Sequence, residues 1–181
     1  MLGAGASKEA MDSTGNHPPD GAQLAKSLAD RFLGGAFANY ALNQVSEYAI
    51  NETNLATVQD YIASLFEPFL PNKSHCLMTS FRWRGIATTN YDLIVERAYS
   101  DKSIAPAQTL VPFLQNGDRV DERLRDPNAL AYLKLHGCVT LTNNLDVPLI
   151  LTTDQYVQYR QGRSRLFDRF VTLQPSEVGI G

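Results

Sequence analysis

The chain has 181 residues, 44% hydrophobic and 19% charged, the balance of a soluble globular chain that can bury one sizeable core. A formal net charge of −3 leaves no basic footprint, so direct nucleic-acid binding is disfavoured, and no apolar run is long enough to span a bilayer. The two cysteines, Cys76 and Cys138, cannot form a four-cysteine zinc site; one disulfide is arithmetically possible, but nothing suggests a disulfide scaffold. With no visible signal peptide, a reducing cytoplasm is the expected compartment.

Gly3-Ala4-Gly5-Ala6-Ser7 is a loop of small residues that lets backbone N–H groups approach a phosphate. Such a loop normally follows a strand. Only Met1 and Leu2 precede it, and Glu177 to Gly181 reads as the start of a buried strand that stops. The expectation is a nucleotide fold cut at both ends. Lys8 to Pro19 is polar and turn-rich, a loop. Asp20 followed by Gln23 is a capping-box variant opening a helix, with Leu24, Ala25, Leu28, Ala29 and Phe32 on its apolar face and Gly34-Gly35 at its end.

A second helix is expected from Ala36 to about Ile50, with Phe37, Tyr40, Ala41, Val45 and Tyr48 toward a core. Asn54 caps a third, whose stripe is Leu55, Val58, Ile62, Leu65 and Phe66; Pro68 and Pro71 close it. Ser74 to Trp83 reads as a short helix. Residues from about 20 to 83 thus form a helical insertion between the first two strands, and 84–181 the remainder of the core.

Gly85-Ile86-Ala87 is strand-like, Thr88-Thr89-Asn90-Tyr91-Asp92 a polar corner, and Leu93 to Tyr99 a helix that Asp92 is placed to cap. Thr109 to Phe113 is a strand, Asn116-Gly117-Asp118 a turn, Asp118 to Asp126 a charged surface run and Pro127-Asn128 a further turn. Tyr132 to Leu135 is a strand ending in His136-Gly137, with Cys138 to Leu141 extending it. After the Asn143-Asn144 turn, Val147 to Leu151 reads as a short strand. Asp154 caps a helix holding Tyr156, Val157 and Tyr159; Gly162 breaks it, and Ser164 to Leu173 continues helically. Strands separated by helices predict an α/β, Rossmann-like fold, a mostly parallel sheet with helices on both faces.

Ligands of such sheets collect outside the carboxyl ends of the strands. Two strand ends can therefore present the Asn90 amide and the His136 imidazole to one cleft. Taken in order, GAGAS, TTNYD and LHG, followed by LTTDQYVQY, resemble the signature motifs of the sirtuin-like (silent information regulator type) NAD-consuming domains. The resemblance is closest to the bacterial branch that lacks the zinc module and cleaves NAD in phage defence. It implies NAD as substrate, no zinc, and His136 and Asn90 as catalytic residues. It also implies that Gly3, Ala4, Gly5, Ala6 and Ser7 cradle the pyrophosphate, with the Ser7 hydroxyl as a donor, and that Asp92 faces the nicotinamide amide. The loop at Lys8 to Pro19 would cover the nicotinamide end of the dinucleotide. It lacks the Gly-Ile-Pro and Phe-Arg pattern of sirtuin deacylases.

The implied activity is hydrolysis of NAD to nicotinamide and ADP-ribose, in the effector domain of a prokaryotic anti-phage defence protein. A sensor domain or partner protein would lie outside this chain, and homo-oligomerisation is left open. Two alternatives stand beside it. An NAD-dependent protein deacylase also uses an Asn and a His, but usually with a four-cysteine zinc ribbon. A sensor module would hold NAD or ADP-ribose without cleaving it, against which the presence of both His136 and Asn90 argues. Among the other candidates, Tyr91 serves packing or cleft wall equally well. His17 and His75 lack the strand-end context and read as bland, Lys8 as solvated, and Cys138 as an inert buried thiol.

Overall fold

The computed structural model describes residues 1–118, 120–158 and 163–173. Helices α1 (Gly21–Phe32), α2 (Leu42–Glu52), α3 (Leu55–Phe66) and α4 (Lys73–Met78) precede strand β1 (Ile86–Thr88). There follow α5 (Ile94–Tyr99), β2 (Thr109–Phe113), α6 (Val120–Arg123), β3 (Ala129–Lys134), α7 (Thr153–Gln158) and α8 (Ser164–Leu173). The three strands form a parallel sheet in the order β1-β3-β2. The Rossmann-like α/β expectation therefore holds.

Alternation along β3 assigns the helices to opposite faces of the sheet. Leu130 and Tyr132 pack with Ile86, Val95 and Tyr99, on the α5 side. Ala131 and Leu133 pack with Ala87, Val111, Phe113 and Leu166, on the α8 side. Burial on both faces explains why the strand reads as an almost unbroken apolar run. A separate core joins α1, α2 and α3 through Leu24, Leu28, Val45, Val58 and Ile62, and it takes in Leu149 and Leu151 from the far end of the chain.

Local signals are obeyed where they are self-contained. Asp20 accepts from the Gln23 N–H and Gln23 from the Asp20 N–H, at 2.8 and 2.9 Å, closing the predicted box. Asn54 caps α3 through the Thr57 N–H at 2.9 Å. The second helix is shorter than its sequence suggests. Gly34, Gly35 and Phe37 take positive φ values of 60°, 84° and 62°, a turn that delays α2 to Leu42. Phe37, Tyr40 and Tyr48 consequently miss the core. They remain partly exposed and pack on one another, with Phe37 4.8 Å from Tyr48 and 5.3 Å from Tyr40 between ring centroids.

Cys138 to Leu141 does not prolong β3, because Gly137 at φ 96° turns the chain into a 3-10 turn at Val139–Leu141. Val147 to Leu151 is buried but joins no ladder among the described residues. Its N–H groups go to Gln59 Oε1 from Leu149 (2.6 Å), to the His136 carbonyl from Ile150 (2.9 Å) and to Gln155 Oε1 from Leu151 (2.8 Å). The cap of α7 is Thr152, whose hydroxyl accepts from the Gln155 N–H at 3.2 Å, while Asp154 lies in the first turn. The short helix read at Ser74 to Trp83 is α4, ending at Met78. The readings at Tyr159, Gly162 and Glu177 to Gly181 fall outside the described residues.

Candidate functional site

Three distant segments converge at the carboxyl end of β1. Leu2 bridges Thr88 in parallel, donating its N–H to the Ala87 carbonyl at 2.7 Å. The glycine segment therefore leaves a strand-like position beside β1, as a phosphate loop should. It then winds into a 3-10 turn, Ala4–Ser7, instead of an open loop. His75 holds that turn from below. The Asn72 N–H donates to its Nδ1 at 3.0 Å, which places the ring proton on Nε2, and Nε2 donates to the Ala6 carbonyl at 2.7 Å. His75 is structural, as its context suggested: it is buried and anchors the turn.

The TTNYD corner grips the same turn from the side. Asn90 Nδ2 donates one hydrogen to the Gly3 carbonyl at 3.0 Å and the other to Ser7 Oγ at 2.9 Å. Both amide hydrogens are thus committed, and its Oδ1 keeps its acceptor capacity. The Ser7 hydroxyl donates to Asp92 Oδ2 at 2.7 Å, so its proton serves the protein. Asp92 Oδ1 accepts from the Ile94 N–H at 3.0 Å. The N-cap position of α5 falls on Leu93, so Asp92 does not cap the helix as expected; from one residue earlier it binds the first helical N–H and clamps the loop, which is why a carboxylate only 4% exposed is tolerated.

A residue the sequence reading passed over completes this corner. Lys134, the last residue of β3, is fully buried. Its ammonium donates to the Tyr91 carbonyl (3.2 Å), to the Asp92 carbonyl and to Glu96 Oε1 (2.9 Å). A lone lysine in the apolar run from Ala129 to Leu135 was the available signal.

His136 lies two residues beyond Lys134, the end of β3. Its carbonyl takes the Ile150 N–H at 2.9 Å, and its ring meets Tyr156 edge-on, 5.5 Å between centroids at 86°. Burial, reinforced by the Arg163 guanidinium, holds its pKa below the ordinary imidazole value of 6.5. The ring is neutral at pH 7 and can accept a proton. If turnover requires that neutral form, the acid limb of a kcat/KM profile will have its midpoint below pH 6.5. A midpoint above that value would contradict a role for His136 as base.

Ala4, Gly5, Ser7, Asn90, Asp92 and His136 line one cleft of about 630 Å³, while Gly3 and Ala6 stand outside its wall. Leu24, Leu42 and Phe66 supply an apolar side from the helical segment. His17, read as bland, lines the cleft too, its Nδ1–H donating to the Ala10 carbonyl at 2.9 Å. Tyr91 is a wall residue of the cleft, with its hydroxyl donating to the Ile150 carbonyl at 2.6 Å, and burial pushes its phenol pKa up. Past His136 lies a second, mainly apolar cleft of about 380 Å³, lined by Leu42, Ile150, Leu151, Tyr156 and Val157.

Among the described residues, no group of three His, Cys, Asp or Glu side chains could hold a metal, and Cys76 and Cys138 are unpaired. No helix among them is long and apolar enough to cross a membrane. A family model described as a SIR2-like domain matches residues 84–176, just over half of the chain. The match takes in TTNYD and LHG and leaves GAGAS outside it. No curated protein matches the chain.

Proposed function

Given that the chain belongs to the SIR2-like domain family, whose function is NAD-related, we propose that it hydrolyses NAD to nicotinamide and ADP-ribose. We further place it as the effector part of a prokaryotic anti-phage defence protein, on the likeness of its three motifs to the zinc-less bacterial branch. The observation that carries the hydrolase reading is the shared cleft. A neutral imidazole, an amide with a free acceptor and a small-residue turn meet there from three remote parts of the chain.

In the reaction, the bond between the nicotinamide nitrogen and the ribose carbon breaks, and its electron pair leaves with neutral nicotinamide. The cationic leaving group needs no acid. The ribose carbon becomes oxocarbenium-like and is captured by a water oxygen, and the water's proton must be accepted. His136 takes that proton, directly or through a ribose hydroxyl. Asn90 Oδ1 accepts from a ribose hydroxyl or the water without adding charge. The Gly3 to Ser7 turn receives the pyrophosphate, and Asp92 holds the turn and the nicotinamide end.

The glycines support this reading in a specific way. Gly3 and Gly5 have ordinary φ angles, and an added Cβ would meet nothing within 4 Å at either position. The fold does not require glycine there, but a ligand lying against the turn would. Gly5→Ala is therefore expected to leave the unfolding midpoint in place and to raise the KM for NAD about tenfold, read by steady-state kinetics beside thermal denaturation. A fall in stability with unchanged KM would point to an ordinary turn.

A second reading has one observation in its favour. The apolar cleft beyond His136 could house an acyl chain, as a protein deacylase would need. Incubating the intact protein with NAD, with and without acylated peptide, separates the possibilities. Nicotinamide release without peptide is the expected result, and strict peptide dependence would favour the deacylase. NAD binding by calorimetry without any nicotinamide release, even with a trigger present, would establish a sensor module instead.

A further inference from the structure

Lys134 lies in a place where an apolar residue would make a simpler strand. Removing an ammonium and a carboxylate from water is costly, and their attraction in the interior repays it only in part, so stability is a poor reason for this pair. The position of its bonds is more telling. The β1–β3 ladder ends at the Thr88–Lys134 register pair, and the Leu135 N–H to Thr88 carbonyl bond at 2.9 Å is its last rung. Beyond that rung the chain of β1 turns into the corner holding Asn90 and Asp92, while the chain of β3 runs on to His136. Alternation places the Lys134 side chain on the α5 face, where its ammonium reaches back to the Tyr91 and Asp92 carbonyls and to Glu96 on α5. Its three N–H groups have three acceptors. The Tyr132 ring, 5.8 Å from Nζ, lies on the same side.

We propose that Lys134 is a positioning residue for NAD cleavage, setting the corner that carries Asn90 and Asp92 against the strand that carries His136. The proposal rests on the hydrolase reading for its kinetic consequence, and on the bonding pattern alone for its structural one. Lys134 does not line the cleft itself and acts through the backbone of the wall residues Tyr91 and Asp92. Glu96 pairs with the ammonium at 2.9 Å and offsets its charge beneath the corner.

The test removes both charges together, because a half-buried carboxylate left without its ammonium would destabilise the chain for reasons unrelated to the site. The variant Lys134→Met with Glu96→Leu, made in the full chain, is expected to unfold near the wild-type midpoint. Its kcat should fall about a hundredfold, with KM for NAD changed far less, since small misplacements of reacting groups act on the rate. Hydrogen exchange of the Asn90 side-chain amide, followed by NMR, should quicken about tenfold or more as the corner loosens. Should the apolar pair not fold, Lys134→Gln with Glu96→Gln keeps a polar pair in the same space while withdrawing at least one donor from the corner, and the same changes are expected. A folded variant with wild-type kcat and wild-type Asn90 exchange overturns the proposal. If wild type releases no nicotinamide under any condition, the hydrolase reading fails, and the exchange rate still decides whether Lys134 holds the corner.

Discussion

His136→Ala is expected to lower NAD turnover by roughly a hundredfold or more, the usual scale for a proton-transfer group, with KM little affected. The separation follows from how the ring is held. Among the described residues its nitrogens bond to no protein group; the ring meets Tyr156 edge-on, and the structural work of the residue is done by its carbonyl. Truncation therefore removes the base and spares the fold, which circular dichroism and the melting midpoint will verify. Asn90→Ala should cost a similar factor in kcat and raise KM as well. The Asn90 amide hydrogens tie the Gly3 carbonyl and Ser7 Oγ to the corner, so its loss frees the turn that receives the pyrophosphate. Near-full activity in both variants would mean that the chemistry lies elsewhere.

This contrast between the two residues could not be read from the sequence, though both were. TTNYD and LHG announce a strand end followed by polar side chains, and each signal is local. The same holds for the boxes at Asp20–Gln23 and the cap at Asn54, where residues three apart satisfy one another. Signals fail where the partner is remote. The apolar, β-branched run from Val147 to Leu151 looks like a strand, yet its N–H groups are taken by the side chains of Gln59 and Gln155 and by the His136 carbonyl. No periodicity encodes a glutamine side chain arriving from α3. His75 is structural, as its context suggested, but its partner Ala6 lies 69 residues away and has no local signal. Phe37 is a different case. The two glycines before it announced the helix end, but nothing local announced that the turn would continue through a positive φ at an aromatic residue. At Asp92 the remote partner is the Ser7 hydroxyl, and through it the Ser7 turn and the start of α5 become one unit.

Gly137→Ala is expected to be strongly destabilising, for reasons opposite to those at Gly5. At φ 96° an L side chain is strained whatever space it has, and here there is none. An added Cβ would stand 3.0 Å from the Pro148 carbonyl oxygen, 3.1 Å from Arg163 Nη2 and 3.2 Å from Leu149 Cα. Two of those three are backbone atoms. The third belongs to a fully buried guanidinium, whose Nη2 donates to the Val147 and Pro148 carbonyls. Relief would require Val147 to Leu151 to back away. That segment is fixed by Gln59, by the His136 carbonyl and by Gln155, so the strain cannot be released locally. Backbone strain of about 1–3 kcal/mol and overpacking of similar size put the loss at roughly 3 kcal/mol or more, measurable by urea denaturation. Gly117→Ala, where a Cβ meets nothing within 4 Å, is the matched control and should stay within about 0.5 kcal/mol of wild type. Because the Ile150 N–H holds the His136 carbonyl, displacement of that segment moves the imidazole with it. Gly137→Ala protein that remains folded at low temperature should therefore lose turnover while still binding ADP-ribose, measured by calorimetry. If Gly137→Ala matches wild type in stability, the close packing of Pro148 and Leu149 against the strand end is wrong, and with it the placement of His136.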